Sequence, residues 1–425
     1  MEPLNHQEKM EKYQINKKSA LIAIMLAIFI DVLGYSMILP LLPKIAQGEF
    51  GASNFTVGIL IASNAFTGLI FAPIWGRLSD NFGRKPMLLI AQAGTLAAFL
   101  MLGLSNSLWM IFFSRILDGI FGGQIPIIRA YIIDITETKT RSGEMARITG
   151  AMAFGMIFGP SIGGLAGVID WRYPAFIASS LSIIAIILTS RKLTESMPQQ
   201  RREDIQERKR QNEENSIFAT PVLKNKEVVF RLVQVFLIIL AFIIVNSSFP
   251  LVLGQRYGLN VAIIGLFASL SGLIMLISGI LTRKLIKKHG EKVILLTALL
   301  MMLITFISYP FLYFVWLLWI FIFPYAFSSL VIRTIIITNV SKAVDEDQQG
   351  EASGWGTNMQ AIAQVFAPLI AYWFLELGVI NMVGITIDAY FLIGMTCVLI
   401  TIVLFLLIFY DMKQHPHVYE KQEDS

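Results

Sequence analysis

The stretch "GRLSDNFGRKP", residues 76–86, sets Arg77, Asp80, Arg84 and Lys85 in one short segment between two long apolar runs. That crowding is unusual for this chain, which is 55% hydrophobic and only 15% charged over 425 residues. Runs of about 20 apolar residues, the length that crosses roughly 30 Å of hydrocarbon as a helix, recur along it. Twelve are read, the first over 19–42 and the last over 386–410. The expected fold is an all-α membrane protein.

The first span follows Lys9, Lys12, Lys17 and Lys18, exceeds a signal-peptide core and has no small-residue cleavage site after it, so it reads as a retained helix. The single cysteine, Cys397, leaves no disulfide and no thiolate metal cluster. His6, His289, His415 and His417 all lie outside the spans, which excludes a histidine relay within the membrane. No metal and no cofactor are expected. The net charge of +5 comes from basic residues in alternate loops, without an aromatic-interleaved patch for nucleic acid. Arg77, Arg84 and Lys85 fall in the second loop, Lys139, Arg141 and Arg147 at the fourth, Arg283, Lys284, Lys287, Lys288 and Lys292 around the eighth, and ten Lys/Arg between Arg191 and Arg231. Lys44, Arg172 and Arg256 are nearly all that the odd loops hold. Retention of Lys and Arg on the inner side predicts a multi-pass protein of the cell membrane with both termini cytoplasmic. The opening stretch is then a cytoplasmic turn.

The segment containing "MPQQRREDIQERKRQNEEN" mixes both charge signs, is nearly free of aromatics and reads as a solvated linker with a short surface helix. It divides the chain into a cytoplasmic N-terminal segment 1–18, a six-helix bundle 19–190, a linker 191–227, a second bundle 228–410 and a cytoplasmic tail 411–425. The halves match each other at a constant offset of 207 residues. "VGIL" (57–60) falls on "IGLF" (264–267), Gly83 and Lys85 on Gly290 and Lys292, and Gly143-Glu144 on Gly350-Glu351. "IPIIRAYII" (125–133) also matches "SLVIRTIII" (329–337) at an offset of 204. Two parallel six-helix repeats are the architecture of a rocking transporter with its substrate site near the bilayer midplane.

The opening stretch resembles the signature loop of the major facilitator superfamily, Gly-x-Leu-x-Asp-x-x-Gly-Arg-Lys, through Gly76, Leu78, Asp80, Gly83, Arg84 and Lys85. Three more motifs resemble that superfamily's twelve-helix drug:proton antiporters. They are "DVLGYSMILPLLP" (31–43), Arg115 with Gly119, and "GMIFGPSIGG" (155–164). The second half matches only as a degenerate repeat: in "RKLIKKHGEK" (283–292), Lys287 stands where Asp80 does and Glu291 where Arg84 does, so the same role is not assigned to it.

The resemblance implies that the loop is a conformational latch, with Asp134 at the end of the fourth span as its acidic partner. Gly76 and Gly83 are expected to allow close approach or positive φ, and Asp80 to pair with Arg84. The competing reading is a plain positive-inside anchor. Asp31 lies about 18 Å into the first span, where a carboxylate costs several kcal/mol unless protonated, paired or hydrated. It is either the proton carrier or a structural acid paired with a neighbouring helix. Arg115 is within the membrane too, and the resemblance makes it a helper in proton transfer. Asp118, three residues on, shares its face and departs from the family's usual uncharged residue. It is either a second proton site or a fixed partner of Arg115. Arg129 and its repeat mate Arg333 read as snorkelling anchors.

Gly155, Gly159 and Gly163 form a one-face stripe with Pro160 and Gly164 beside it, the helix motif that resembles exporters rather than importers. Its expected partner is the eighth span, through Ser269, Ser271, Gly272, Ser278 and Gly279. Cavity candidates are Tyr35, Asn64, Gln124, Asn246, Tyr325, Asn358, Gln360 and Gln364. The aromatic run 309–327 reads as belt and lipid-facing bulk. The lack of buried acids in the third, seventh and ninth spans argues against the tetracycline exporters, whose resemblance would put acids there. No G-x-x-x-x-G-K-[ST] loop supports an ATP-driven pump, and no nucleophile–base pair supports an enzyme. The reading is a proton-coupled antiporter of small hydrophobic or cationic compounds, a monomer whose partners are substrate, protons and bilayer. Alternatives are an importer or uniporter of sugars or organic anions, or a lipid or glycolipid exporter.

Overall fold

The computed structural model describes residues 16–197, 221–345, 348–382 and 385–419. Most of the N-terminal segment and of the linker, including its expected surface helix, lies outside the described residues. In chain order the first helices are α1 (Lys17–Ile38), α2 (Leu42–Gly48), α3 (Asn54–Phe82), α4 (Arg84–Gly103), α5 (Leu108–Phe121), α6 (Gln124–Ile135), α7 (Thr138–Ile169) and α8 (Tyr173–Lys192). After α9 (Pro221–Lys224) come α10 (Lys226–Tyr257), α11 (Val261–His289), α12 (Glu291–Ser308), α13 (Leu317–Lys342) and α14 (Gln349–Leu377). A hairpin of β1 (Val379–Met382) and β2 (Ile385–Asp388) then leads to α15 (Ala389–Gln414) and α16 (Pro416–Tyr419). Among the described residues, twelve helical segments are long and apolar enough to cross a membrane, with α5 and α6 together forming the fourth. The hairpin was not read from sequence. β1 and β2 pair antiparallel, Val379 opposite Asp388, where the chain turns β-branched beyond Gly378 at φ 63°.

The described residues form two compact units. One draws on Met1–Ile45, Ser63–Ala219 and Val261–Ser269; the other on Ala46–Ala62, Thr220–Asn260 and Leu270–Ser425. Each unit contains one of a pair of matching helix crossings. In the first, a Cβ on Gly265 of α11 would lie 2.2 Å from the Pro160 carbonyl oxygen of α7. In the second, a Cβ on Gly58 of α3 would lie 3.2 Å from the Pro368 carbonyl oxygen of α14 and 2.7 Å from the Tyr372 Cβ. Gly58 and Gly265 are the mates read at offset 207. Gly83 and Gly290, mates at the same offset, each stand alone between two helices, with φ 102° and 85°. Such values favour glycine because a side chain there meets its own backbone.

The glycine stripe of α7 seats α1, not α11 as expected. A Cβ on Gly155 would sit 3.0 Å from Leu33 N, on Gly159 2.8 Å from Leu33 O, and on Gly163 2.2 Å from Met37 O. Ser36 Oγ donates to Gly155 O at 2.9 Å across this seam. The neighbouring face, Pro160 to Gly164, takes α11: Gly164 lies against Val261 and Gly265, and Ser161 Oγ donates to Ser269 Oγ at 2.6 Å. The Ser161 backbone N–H also donates to Ser269 Oγ, at 3.0 Å. Hydrocarbon supplies no hydrophobic drive between helices, so close packing and such hydrogen bonds hold them.

Candidate functional site

The residues expected to form a latch converge on Arg84, the first residue of α4 and 5% exposed. Its Nη2 lies 2.7 Å from Asp80 Oδ1, its Nε 3.2 Å from Asp134 Oδ2, and its Nη1 donates to Ser79 Oγ at 2.5 Å. The turn is shorter than expected, because α3 continues to Phe82 and Gly83 alone separates it from α4. Gly76 corrects the sequence reading: it is helical, and a Cβ there would meet nothing within 4 Å. Only Gly83 carries the backbone requirement.

Two further residues, Glu195 and Ser196, join this cluster and were not singled out in the sequence. Glu195, just past α8, accepts from the backbone N–H groups of Arg84 (2.9 Å), Lys85 (3.0 Å) and Met197 (2.8 Å), so its carboxylate caps α4. Ser196 Oγ donates to Asp134 Oδ2 at 3.1 Å, and Tyr131 Oη to the Thr194 carbonyl at 2.7 Å. Lys85 Nζ reaches the Ser190 carbonyl. The signal for Glu195 is faint, an acid within five residues of a helix end.

Deeper in this unit, the fourth span breaks. α5 stops at Phe121 and α6 starts at Gln124, leaving Gly122-Gly123 between. A Cβ on Gly123 would come within 2.4 Å of Trp75, whose Nε1 donates to the Ile120 carbonyl freed by the break. Irregular backbone at membrane depth persists where protein groups satisfy it. The break stands between Asp118 and Gln124, and Gly-Gly inside an apolar run is the sequence signal for it.

The charged groups around this break fall into two sets. Arg115, 1% exposed, lies 3.3 Å from Asp118 Oδ2 through Nη1, and Asn64 Nδ2 donates to the same oxygen at 2.9 Å. Asn64 Nδ2 also reaches the Arg115 carbonyl, at 3.2 Å. Asp31 has a different environment: Gln124 Nε2 donates to its Oδ1 at 2.7 Å and also reaches Thr95 Oγ1 at 3.3 Å. Among the described residues no cation pairs with Asp31. A cavity of about 10 Å³, the size of one water, is lined by Asp31, Gln92, Thr95, Gln124 and Ser182. Gln92 Oε1 and Gln124 Oε1 are buried without a partner among the described residues. Tyr35 lies within electrostatic reach of Asp118 and Arg115.

The other unit has its own charged end. Glu291 and Lys342 pair at 2.8 Å, and Lys342 Nζ also donates to the Val418 carbonyl at 3.0 Å. Glu291 stands where Arg84 does in the repeat, so the pair carries the opposite polarity from Arg84–Asp134. Arg231, counted among the loop charges from sequence, is instead a fully buried residue of α10. Its Nε lies 3.0 Å from Asp411 Oδ2 of α15, its Nη1 donates to the Asn339 carbonyl at 3.0 Å, and Tyr419 Oη donates to Asp411 at 2.5 Å. Of the remaining cavity candidates, Tyr325 is 5% exposed with its hydroxyl on the Phe242 carbonyl and its ring stacked on Phe242 and Phe321. Asn246 and Gln364 are exposed, Asn358 and Gln360 half-buried. Gln360 accepts from Arg333 Nη2 of α13, so Arg333 does not behave as the expected headgroup anchor.

The profile of the Major Facilitator Superfamily matches residues 24–368, which takes in the Arg84 ion-pair cluster, the broken span and both crossings. The chain belongs to the Major Facilitator Superfamily. It is therefore a multi-pass membrane transporter of small molecules and not an enzyme. It is 29% identical to the class H tetracycline resistance protein of Pasteurella multocida, across 88% of this chain and 96% of the relative. It is 28% identical to multidrug resistance protein 2 of Bacillus subtilis (strain 168), with the same coverage of 88% and 96%. The missing buried acids thus do not set the chain apart from the tetracycline resistance proteins in overall similarity. Solved structures of the superfamily share the fold. A bacterial homologue of the human lysosomal transporter Spinster superposes with a TM-score of 0.72 at 13% identity, covering 95% of this chain and 98% of that one. The human organic anion transporter MFSD10 gives 0.66 at 18%, covering 92% and 99%.

Proposed function

We propose that this superfamily member exports small hydrophobic or cationic organic compounds in exchange for protons, by alternating access, as a monomer of the cell membrane with both termini cytoplasmic. One observation carries the coupling: Asp31 is an intramembrane carboxylate that no cation pairs with among the described residues, held by Gln124 beside a water-sized cavity. A buried carboxylate in that setting exchanges protons readily, since its charged form lacks the compensation that Arg115 gives Asp118. The names of the relatives, tetracycline and multidrug resistance proteins, support export as the direction. Asp80, Arg84 and Asp134 act as the latch, because a three-way ion pair at one end of the bundle has to break when the helices part.

The test uses proteoliposomes with an interior pH dye, an imposed proton gradient, and a panel of lipophilic cations and neutral drugs. In the parent, a substrate triggers proton flow down the gradient, and Asp31→Asn abolishes it while the protein still inserts and folds. Proton flow unchanged in Asp31→Asn ends the role given to Asp31. Flow in the parent only when compound and proton move together identifies an importer instead.

A further inference from the structure

Arg333 is a cation that its surroundings leave unbalanced. It lies nine residues before Lys342, the end of α13, or about 13 Å along the axis. In a helix the Cα–Cβ bond tilts toward the N-terminus, which for Arg333 is away from the nearer end. Its hydrogen-bond partner agrees: Gln360 is eleven residues into α14 from Gln349, so the guanidinium reaches deeper and not outward. Among the described residues it has one acceptor, Gln360 Oε1, for five N–H donors, and no carboxylate pairs with it. Arg231 in the same unit shows the contrast, with Asp411 and the Asn339 carbonyl engaging its guanidinium.

Polar groups continue from Gln360 along α14. Thr357, Gln360 and Gln364 are spaced as neighbours on one helix face, and Thr357 and Gln364 are exposed. Polar side chains exposed in a membrane-spanning helix line a water-filled opening and not lipid, where each would cost free energy. The pattern is a guanidinium fork bonded to one amide, with a second amide, Gln364, one turn further along the same helix face. That fork matches a planar two-oxygen anion in bidentate geometry.

We propose that Arg333, oriented by Gln360, is the recognition site for an acidic group, a carboxylate or its equivalent, on the transported compound. This rests on the transport reading above and narrows it: the substrate joins a lipophilic or cationic body to an acid. Gln360 is a positioning residue, and Gln364 is available for the second polar contact.

The test compares rhodamine B, which carries a free carboxylate, with its ethyl ester, which keeps the cationic ring system and loses the acid. Binding is followed by fluorescence polarisation on the full-length protein in nanodiscs of zwitterionic lipid. The parent should bind the acid more tightly than the ester. Arg333→Gln should weaken the acid by about 10- to 100-fold, the worth of one charge-assisted contact, with the ester unchanged or tighter. Arg333→Lys should restore part of the acid's affinity, and Gln360→Ala should fall between. Equal binding of both dyes to the parent, or an equal loss of both in Arg333→Gln, overturns the inference. A phosphatidylglycerol headgroup offers the same chemistry, so nanodiscs with that lipid form a second arm. If it displaces the acid from the parent without affecting the ester, Arg333 is a lipid site and the substrate assignment falls. Proton-driven transport of the ester, measured in proteoliposomes, tests the transport reading apart from Arg333.

Discussion

Arg231 and Asp411 are both almost fully buried, so either one left alone would hold a charge with little water to stabilise it. Breaking such a pair costs roughly 3–5 kcal/mol, while replacing both members with apolar groups of similar size costs far less. Arg231→Met and Asp411→Leu should therefore each lower the thermal midpoint in detergent markedly, and the double variant should recover most of the loss. Glu195 presents a different case, because it is half-buried and its carboxylate accepts three backbone N–H groups. Glu195→Gln keeps one acceptor oxygen but loses the charge, with an expected loss of about 1–3 kcal/mol. The same variant should leave the start of α4 less protected against hydrogen exchange, which separates loss of the cap from a general loss of stability.

Among the helices, the α1–α7 seam is close enough to be sensitive to a single methyl group. Gly163→Ala would place a Cβ 2.2 Å from the Met37 carbonyl oxygen, forcing the two backbones apart at a cost of roughly 1–3 kcal/mol. Gly150→Ala, on the same helix with nothing within 4 Å, should be neutral or slightly stabilising, and thermal unfolding of the pair checks the contrast. This seam shows what sequence could and could not convey. The small-residue period of Gly155, Gly159 and Gly163 revealed a close crossing, since only backbone-sized residues permit one, but a glycine face carries no mark of its partner. Twelve spans and the duplication were legible because hydrocarbon length and repeated glycines leave direct traces. Asp80, Arg84 and Asp134 were legible through the motif. The kink-free reading of the fourth span failed at Gly122-Gly123, where the Trp75 indole supports the freed carbonyl and no local rule names a donor 45 residues away. Arg231 was misplaced for a related reason: a charge near a span's end looks solvent-facing until its partner arrives from 180 residues later.

For the whole molecule, the short helix α16 (Pro416–Tyr419) is a structural part of its unit. Tyr419 and Val418 close onto Asp411 and Lys342. Burial and the Asp411 carboxylate hold the Tyr419 hydroxyl well above its usual range. A group whose folded pKa is raised adds stability in full below its unfolded value, about 10 for tyrosine, and loses it as pH rises through the folded value. The thermal midpoint should thus fall as pH climbs from about 10, and Tyr419→Phe should flatten that part of the profile while lowering stability at neutral pH. A chain ending at Gln414 should show the same flattening. The pairing of Arg115 with Asp118 has a further consequence, electrical in kind. A neutral pair moves no charge through the transmembrane voltage, where one elementary charge is worth about 2.3 kcal/mol per 100 mV, so under the proposed exchange this pair adds nothing to the current, whereas the proton carried by Asp31 does. Swapping one proton for a singly charged cation would then be voltage-blind, whereas swapping it for a compound with no net charge would carry one unit of current per cycle.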